Sequence, residues 1–253
     1  MKKEFVLAFL VVLSLFLLGC VQEQPAPTPT VTSTPTPAAS PTAALATPAL
    51  PSATPSPSSP VVPTASPLPA GTLYYDDFES GRLPEWSFDD ASAWQLERAD
   101  DHGFVLVGGS SQKNKYAFFG NASWTDYFVE FKMRLYGGIL RLGLRNSSAG
   151  AYFVGIAPNT FVLYKQSGSS PAGVVAQASV PQVWGNAVTS GWVEVRARVA
   201  GGPRNTTVSV WVDKHPLIEW TDSSNPFSGG GVVFALIDGT RVALDSVNVT
   251  LAS

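Results

Sequence analysis

Cysteine and histidine are scarce in this 253-residue chain, which contains one cysteine, Cys20, and two histidines, His102 and His215. A single cysteine allows neither an intramolecular disulfide nor a cysteine-based metal site. Because the two histidines lie far apart in the sequence, a zinc cage and a Cys–His nucleophile pair are excluded as well.

Positive charge is also not in excess, since 16 Lys and Arg stand against 19 Asp and Glu, for a formal net charge of −3. Proteins that bind nucleic acids through the phosphate backbone carry clusters of basic residues on one surface. The sequence therefore predicts that nucleic acid is not a partner.

Residues 1–20 have the pattern of an export signal, with two lysines, an apolar run and a closing Gly19-Cys20. As a helix, the apolar run is about 21 Å long, too short for a hydrocarbon core of about 30 Å. The ending LLGC resembles the lipobox of bacterial lipoproteins, which implies cleavage before Cys20 and lipidation of its thiol. We expect an exported protein held at the outer face of a bacterial cell membrane by its acyl chains alone. The alternative is an ordinary signal peptide with an incidental cysteine.

Residues 21–70 consist mainly of Pro, Thr, Ser and Ala, with Glu23 as the only charged residue. Frequent proline blocks helix and sheet hydrogen bonding and favours extended polyproline II. The segment is predicted to be a disordered tether, which at ~3.1 Å per residue reaches at most roughly 150 Å.

Residues 71–253 form a third region, in which short alternating segments are separated by Gly, Asn, Asp, Ser and Pro. No segment has the periodicity of an amphipathic helix. Strands are predicted near 73–79, 93–98, 103–108, 115–119, 126–135, 139–145, 151–156, 160–165, 173–180, 192–199, 206–213, 216–221, 230–237 and 241–251. So many strands without helices predict an all-β fold, an antiparallel two-sheet β-sandwich of the jelly-roll type.

Two segments are predicted to be β-hairpins. In residues 124–146 apolar side chains alternate with polar ones, and Gly137-Gly138 is expected to reverse the chain. In residues 191–213 the turn is placed at 201–205, and Trp211 then falls on the polar face across from Arg196. Trp211 is either a platform for a ligand or one half of a stack with Arg196 that covers the sheet. The sequence leaves both interpretations open.

Five segments together carry a resemblance to a known superfamily: DDFES, WTDYFVEFKMRLYGGILRLGLR, YFVGIAPNTFVLYKQ, GWVEVRARVAG and GGVVFALIDGTRVALDSVNVTL. They resemble the concanavalin A-like lectins and glucanases, including the laminin-G-like and family-16 glucanase-like jelly rolls, over residues 72–251. The resemblance implies two curved antiparallel sheets, often with a carbohydrate site on the concave sheet, and in several members a calcium ion.

The acids of a glycosidase are not evident. Glycoside hydrolysis uses two carboxylates, and the glucanases of this superfamily place theirs at alternating positions of one strand in the middle of the domain. In the comparable strands here, Glu130 and Glu194 are each followed on their own face by two basic residues, which lower the pKa of an acid and make it a poor proton donor. Enzymatic activity is left uncertain, with its absence favoured.

We therefore expect a surface-anchored, non-catalytic module that binds a glycan or a cell-wall polysaccharide. Candidate contacts lie on polar or mixed strand faces, where an aromatic ring can stack on a sugar and charged groups can bind hydroxyls; they are Trp211, Arg196, Glu130, Arg141, Arg145 and Tyr152. Two alternatives stay open. One is a glycoside-acting enzyme that unites acids from distant strands, such as Glu130 with Glu194 or Asp213, and the other is a protein-binding or structural surface component.

The start of the domain is acidic, with nine Asp and Glu residues from Asp76 to Asp101. The resemblance implies a structural calcium ion between the first and last strands, which by position would be bound by Asp77, Glu79 and Asp245. Calcium takes roughly six to eight oxygen ligands, which two strands can supply together with carbonyls and water. The alternative is that these are ordinary surface acids.

Overall fold

The structure is a computed structural model that describes residues 68–99, 101–180, 189 and 191–252. The predicted export signal, Cys20 and nearly all of the predicted tether lie outside the described residues, so these assignments stay predictions. In the part of the chain that is described, no helix has the length and the apolar character needed to span a membrane.

Fifteen strands follow one another in the described residues, with a single 3-10 turn at Ala91–Ala93. In chain order they are β1 (Thr72–Asp76), β2 (Ser87–Phe88), β3 (Trp94–Ala99), β4 (Gly103–Gly109), β5 (Lys115–Phe119), β6 (Tyr127–Gly137), β7 (Leu140–Ser147), β8 (Gly150–Ala157), β9 (Thr160–Ser167), β10 (Gly173–Ser179), β11 (Val193–Gly201), β12 (Thr206–Val212), β13 (His215–Asp222), β14 (Gly231–Leu236) and β15 (Arg241–Leu251).

The strands form two antiparallel sheets. The eight-stranded sheet has the order β13-β12-β11-β6-β15-β4-β3, with β1 also paired to β15. The seven-stranded sheet has the order β10-β9-β8-β7-β14-β5-β2. The prediction of an all-β, two-sheet sandwich is therefore confirmed.

The hydrophobic core lies between the two sheets and is supplied by every second residue of each strand. On β6, Val129, Phe131 and Met133 are each at most 1% exposed, and Leu142 and Phe234 of the other sheet are 0% exposed. Phe131 and Phe234 meet edge to face, with ring centroids 5.0 Å apart. Full burial of one such side chain contributes about 1.5–3 kcal/mol to stability.

The pairing predicted for the first hairpin is wrong. β6 pairs with β11 and β15 in the eight-stranded sheet, whereas β7 pairs with β8 and β14 in the seven-stranded sheet. The reversal at Gly137-Gly138 therefore carries the chain from one sheet to the other. Alternation along a strand reveals which face is buried, but it does not identify the neighbouring strand.

The second predicted hairpin is confirmed. β11 and β12 pair in antiparallel register from Gly201 opposite Thr206 to Val195 opposite Val212. Arg196 lies directly opposite Trp211, as the predicted turn requires.

Candidate functional site

An open groove with a volume of about 140 Å³ lies on the outer face of the seven-stranded sheet. Strand register explains why its side chains meet. Tyr116 lies opposite Ala235, Ala235 opposite Arg141, and Arg141 opposite Gly155. Directly paired residues of antiparallel strands point to the same side of a sheet. The small residues Ala235 and Gly155 alternate with the larger ones, and the groove forms above them.

Two aromatic rings lie over glycines of this face. A Cβ atom on Gly143 would be 2.8 Å from Cε1 of Phe153, and a Cβ atom on Gly155 would be 3.0 Å from Cε2 of Tyr164. Glycine within a strand commonly marks such a close approach. Because Phe153 and Tyr164 lie directly opposite each other on β8 and β9, both rings lie on the outer face of the sheet, and together they are called the aromatic surface.

Arg141 is held against this aromatic surface. Its guanidinium carbon lies 4.6 Å from the centroid of the Tyr164 ring, a cation–π arrangement. Its Nε atom is buried and has no hydrogen-bond partner among the described residues. A buried donor is normally satisfied by protein, by water or by a ligand, and leaving it unsatisfied costs about 1–3 kcal/mol. No hydrogen bond or ion pair of Arg141 is found among the described residues, and since Nε is buried, its terminal nitrogens Nη1 and Nη2 are the donors available to an oxygen atom in the groove.

Amide and hydroxyl groups complete the polar lining of the groove, namely Asn146, Ser147 and Gln166. Together with the aromatic rings they give an apolar surface bordered by donors and acceptors. Small-molecule sites in proteins usually have this composition.

Of the six predicted carbohydrate contacts, only Arg141 lies in the groove. Trp211, Arg196 and Glu130 lie together on the outer face of the eight-stranded sheet, on the other side of the sandwich. The guanidinium carbon of Arg196 is 4.0 Å from the Phe128 ring centroid and 6.0 Å from that of Trp211, and its Nε lies 3.5 Å from Glu130 Oε2. The stack of Arg196 with Trp211 is therefore present, with Phe128 as a closer ring, and a ligand-binding role for Trp211 stays a prediction.

Arg145 and Tyr152 are both 0% exposed, which corrects the expectation that they lie on faces open to a ligand. Arg145 has a positive φ of 50°, and the pairing of β7 with β8 shifts register between Leu144 and Ser147. Such a bulge breaks the alternation of the strand, so Leu144 and Arg145 both turn inward. Tyr152 lies on β8, which carries apolar residues on both faces, so its sequence does not show which face is buried.

Buried Arg145 is fully satisfied by the protein. Its guanidinium donates to Asp126 Oδ1 at 2.8 Å, to Thr206 Oγ1 at 2.9 Å and to the carbonyls of Thr125, Gly201 and Phe227. These contacts join segments that are distant in sequence at one end of the sandwich.

Tyr152 belongs to a second buried polar group. Its hydroxyl donates to Asp222 Oδ2 at 2.7 Å and accepts from the Phe227 amide at 3.1 Å, while Lys165 Nζ lies 2.6 Å from the same Asp222 oxygen. Burial and the Asp222 carboxylate raise the pKa of the Tyr152 hydroxyl. Burial alone would raise the pKa of Asp222, but hydrogen bonds from Lys165, Tyr152 and the Ser224 amide outweigh it and lower that pKa.

The three predicted calcium ligands already have protein partners. Asp245 Oδ2 lies 3.0 Å from His102 Nδ1, Glu79 Oε1 accepts from the Phe104 amide at 2.7 Å, and Asp77 Oδ1 accepts from the Glu79 amide at 3.1 Å. Within the described residues, no three His, Cys, Asp or Glu side chains are grouped so that they could hold a metal ion. Calcium binding stays a prediction, and carbonyls and water would have to supply most of the ligands.

The acids considered for an enzyme lie outside the groove. Glu130 faces Arg196 and Glu194 faces Lys132 on the eight-stranded sheet, and Asp213 Oδ1 accepts from the Glu194 amide at 2.8 Å. The described lining of the groove contains no Asp or Glu.

The sequence alone did not identify Tyr116, Phe153, Tyr164, Asn146 or Gln166 as candidates. A signal was available in the sequence, because Gly143 and Gly155 interrupt strands that are otherwise rich in large apolar residues. Which rings lie over these glycines depends on the register between strands, and a single sequence does not give that register.

Comparison with known proteins found no matching family model and no matching curated protein. Solved structures share the fold. A protein of unknown function with a galectin-like fold from Bacillus subtilis has a TM-score of 0.53 and 12% identity, covering 72% of this chain and 96% of its own. A family-16 (GH16) protein of the mixed-linkage glucan PUL from Bacteroides ovatus, solved in complex with a product, has a TM-score of 0.52 and 12% identity, and the match covers 70% of this chain and 99% of that protein. A legume lectin-like domain from Entamoeba histolytica has a TM-score of 0.51 and 10% identity, covering 75% and 100%.

Proposed function

We propose that this concanavalin A-like jelly roll belongs to a surface-anchored lipoprotein and binds a glycan, without hydrolysing it, in the groove of the seven-stranded sheet. The observation that carries the proposal is the pairing of the Phe153 and Tyr164 rings with Arg141, Asn146 and Gln166 around one groove. Sugars have apolar CH faces that pack on aromatic rings and hydroxyls that bind planar polar groups. The groove and the rings beside it offer both kinds of contact.

Two further observations support the proposal. The galectin-like and legume lectin-like structures that resemble this chain bear the names of sugar-binding folds, although at 12% and 10% identity the likeness itself extends to the fold alone. Hydrolysis by the usual mechanism needs two carboxylates at the scissile bond, and the described lining of the groove provides neither. Binding without hydrolysis is the function that these groups support best.

The binding part is tested with the full chain on a panel of immobilised glycans. For the glycans retained, Phe153→Ala and Tyr164→Ala should each weaken binding about tenfold, which corresponds to about 1.4 kcal/mol, because each removes a stacking surface. Trp211→Ala is the matched control, since it removes an aromatic ring from the opposite face and should leave affinity unchanged. A panel with no retained glycan would overturn the proposal, and loss of binding in Trp211→Ala alone would move the site to the eight-stranded sheet.

The anchoring part rests on residues 1–20 and on the position of Cys20. Cys20→Ala removes the thiol that would carry the lipid, so the protein should shift from the membrane fraction to the soluble fraction of disrupted cells. Cys20→Ser is a second variant that keeps the size of the side chain and should behave in the same way. Unchanged fractionation of both variants would contradict lipid anchoring.

A further inference from the structure

The groove binds an acidic glycan: we infer that the sugar against Arg141 carries a carboxylate or a sulfate. This inference rests on the proposed function, because it concerns the ligand of the same groove. Arg141 is the only charged residue among the described residues that line the groove. Asp238 follows the lining residue Ile237 but is not itself part of the lining. The groove therefore presents one positive charge to its ligand.

Arg141 differs from the other two arginines that the sequence singled out. Arg145 donates to the Asp126 carboxylate at 2.8 Å, and Arg196 lies 3.5 Å from Glu130. The described part of the chain gives Arg141 no carboxylate partner, and its guanidinium lies over the Tyr164 ring at 4.6 Å. A partly buried guanidinium without a counter-charge favours an anion as its ligand.

The geometry favours an oxoanion in particular. A guanidinium presents five N–H donors in a rigid fork that matches the two oxygens of a carboxylate or a sulfate. The Nε–H of Arg141 is buried, so the two terminal nitrogens are the donors that a ligand can reach, and stacking on Tyr164 limits the rotation of the guanidinium plane. A sugar hydroxyl could also accept from this group, but a charged acceptor makes a hydrogen bond roughly twice as strong. The site should therefore distinguish an acidic sugar from a neutral sugar of the same shape.

Isothermal titration calorimetry of the full chain with two matched pairs of oligosaccharides tests this inference. One pair is an oligouronide and its carboxyl-reduced neutral form, and the other is a sulfated oligosaccharide and its desulfated form. The acidic member of at least one pair should bind at least tenfold tighter than its neutral form, and the pair that shows the preference identifies the anion. The preference should shrink as salt is raised, because ions screen a charge in an open groove.

Arg141→Gln should remove the preference while the neutral member still binds, since Phe153 and Tyr164 remain. Arg141→Lys keeps the charge but not the fork, so it should retain only part of the preference. Arg198→Gln is the matched control on the opposite face, where its guanidinium carbon lies 5.7 Å from the Phe128 ring centroid, and it should behave as the unaltered protein, with thermal melts confirming that all three variants fold. Equal affinities within both pairs, or a preference that survives Arg141→Gln, would overturn the inference and leave the proposed function standing. Absence of binding by every member of both pairs, together with a blank glycan panel, would overturn both.

Discussion

Two arginines four residues apart on β7 lie in regions that differ in exposure. Arg141 lines the open groove, whereas Arg145 lies in a buried polar corner. Strict alternation would place both on the outer face, and only Arg141 is there. In the corner, five hydrogen bonds to protein acceptors satisfy the Arg145 guanidinium. In the groove, the Arg141 Nε has no partner among the described residues. The residue type is the same in both regions, so the difference lies in how many donors the fold itself satisfies.

This difference separates structural from functional polar groups. A fully satisfied buried network holds segments together and has no donor left for a ligand. A donor that no protein group satisfies remains available to a ligand where it is accessible. Substitutions in the corner should therefore lower the free energy of unfolding, whereas substitutions in the groove should weaken the binding of a ligand.

Arg145→Met should give the largest effect on stability. The variant removes the guanidinium from the Asp126 carboxylate, which keeps only the Gly201 amide, and leaves three carbonyls without this donor. The free energy of unfolding should therefore fall by about 3–5 kcal/mol. Urea denaturation followed by tryptophan fluorescence measures it. Arg145→Lys keeps the charge but cannot reach five acceptors, and it should recover part of the loss. A loss below about 1 kcal/mol would show that the corner is not a structural network.

Tyr152→Phe should have the second largest effect. It removes the hydroxyl that donates to Asp222 and accepts from the Phe227 amide, which should lower the free energy of unfolding by about 1–3 kcal/mol. Tyr164→Phe makes the same chemical change in the groove and should alter stability by at most about 0.5 kcal/mol. Equal losses for the two variants would remove the distinction between the regions.

Much of the fold could be predicted from the sequence. The predicted strands at 126–135 and 206–213 match β6 and β12 to within two residues, because alternation directly records which side chains are buried. Placement in a sheet could not be predicted, as the separation of β6 from β7 into different sheets shows. Pairing joins residues that are distant in sequence, and a single chain carries no record of it.

The candidate site was predicted less well than the fold. Arg141 was found because it is a polar residue in an alternating strand, and Arg145 was misplaced for the same reason. Arg145 has a positive φ because it lies in a bulge. The sequence gives no sign of this bulge, since the position is occupied by neither glycine nor asparagine. Tyr116, Phe153 and Tyr164 lie on one face of five neighbouring strands in register, so they could be grouped only in the folded structure.

Acid should destabilise the second buried polar group, that of Tyr152, Asp222 and Lys165, with a smaller effect than Tyr152→Phe. The pKa of Asp222 is lowered in the folded state, so its contribution is complete above the unfolded pKa of about 3.9 and is lost as pH falls through the folded pKa. Protonation of the Asp222 carboxylate weakens its interaction with Lys165, but the carboxyl group still provides an oxygen that accepts from the Tyr152 hydroxyl. Urea denaturation between about pH 5 and about pH 2 measures the slope, because the contribution is lost below the unfolded pKa. Asp222→Asn should reduce this slope, and an unchanged slope would show that Asp222 does not carry it.

Arg141→Gln should have the smallest effect on stability, within about 0.5 kcal/mol of the unaltered protein. The substitution breaks no hydrogen bond or ion pair within the described residues, and it removes a buried charged donor that the fold leaves unpaired. Loss of the cation–π contact with Tyr164 costs about 0.5–1 kcal/mol, which relief of the unpaired Nε–H should offset. Urea denaturation in the absence of glycan measures this balance. A loss above about 2 kcal/mol would mean that Arg141 supports the sheet as Arg145 supports the corner, and any loss of glycan binding in the variant would then reflect altered structure instead of a missing contact.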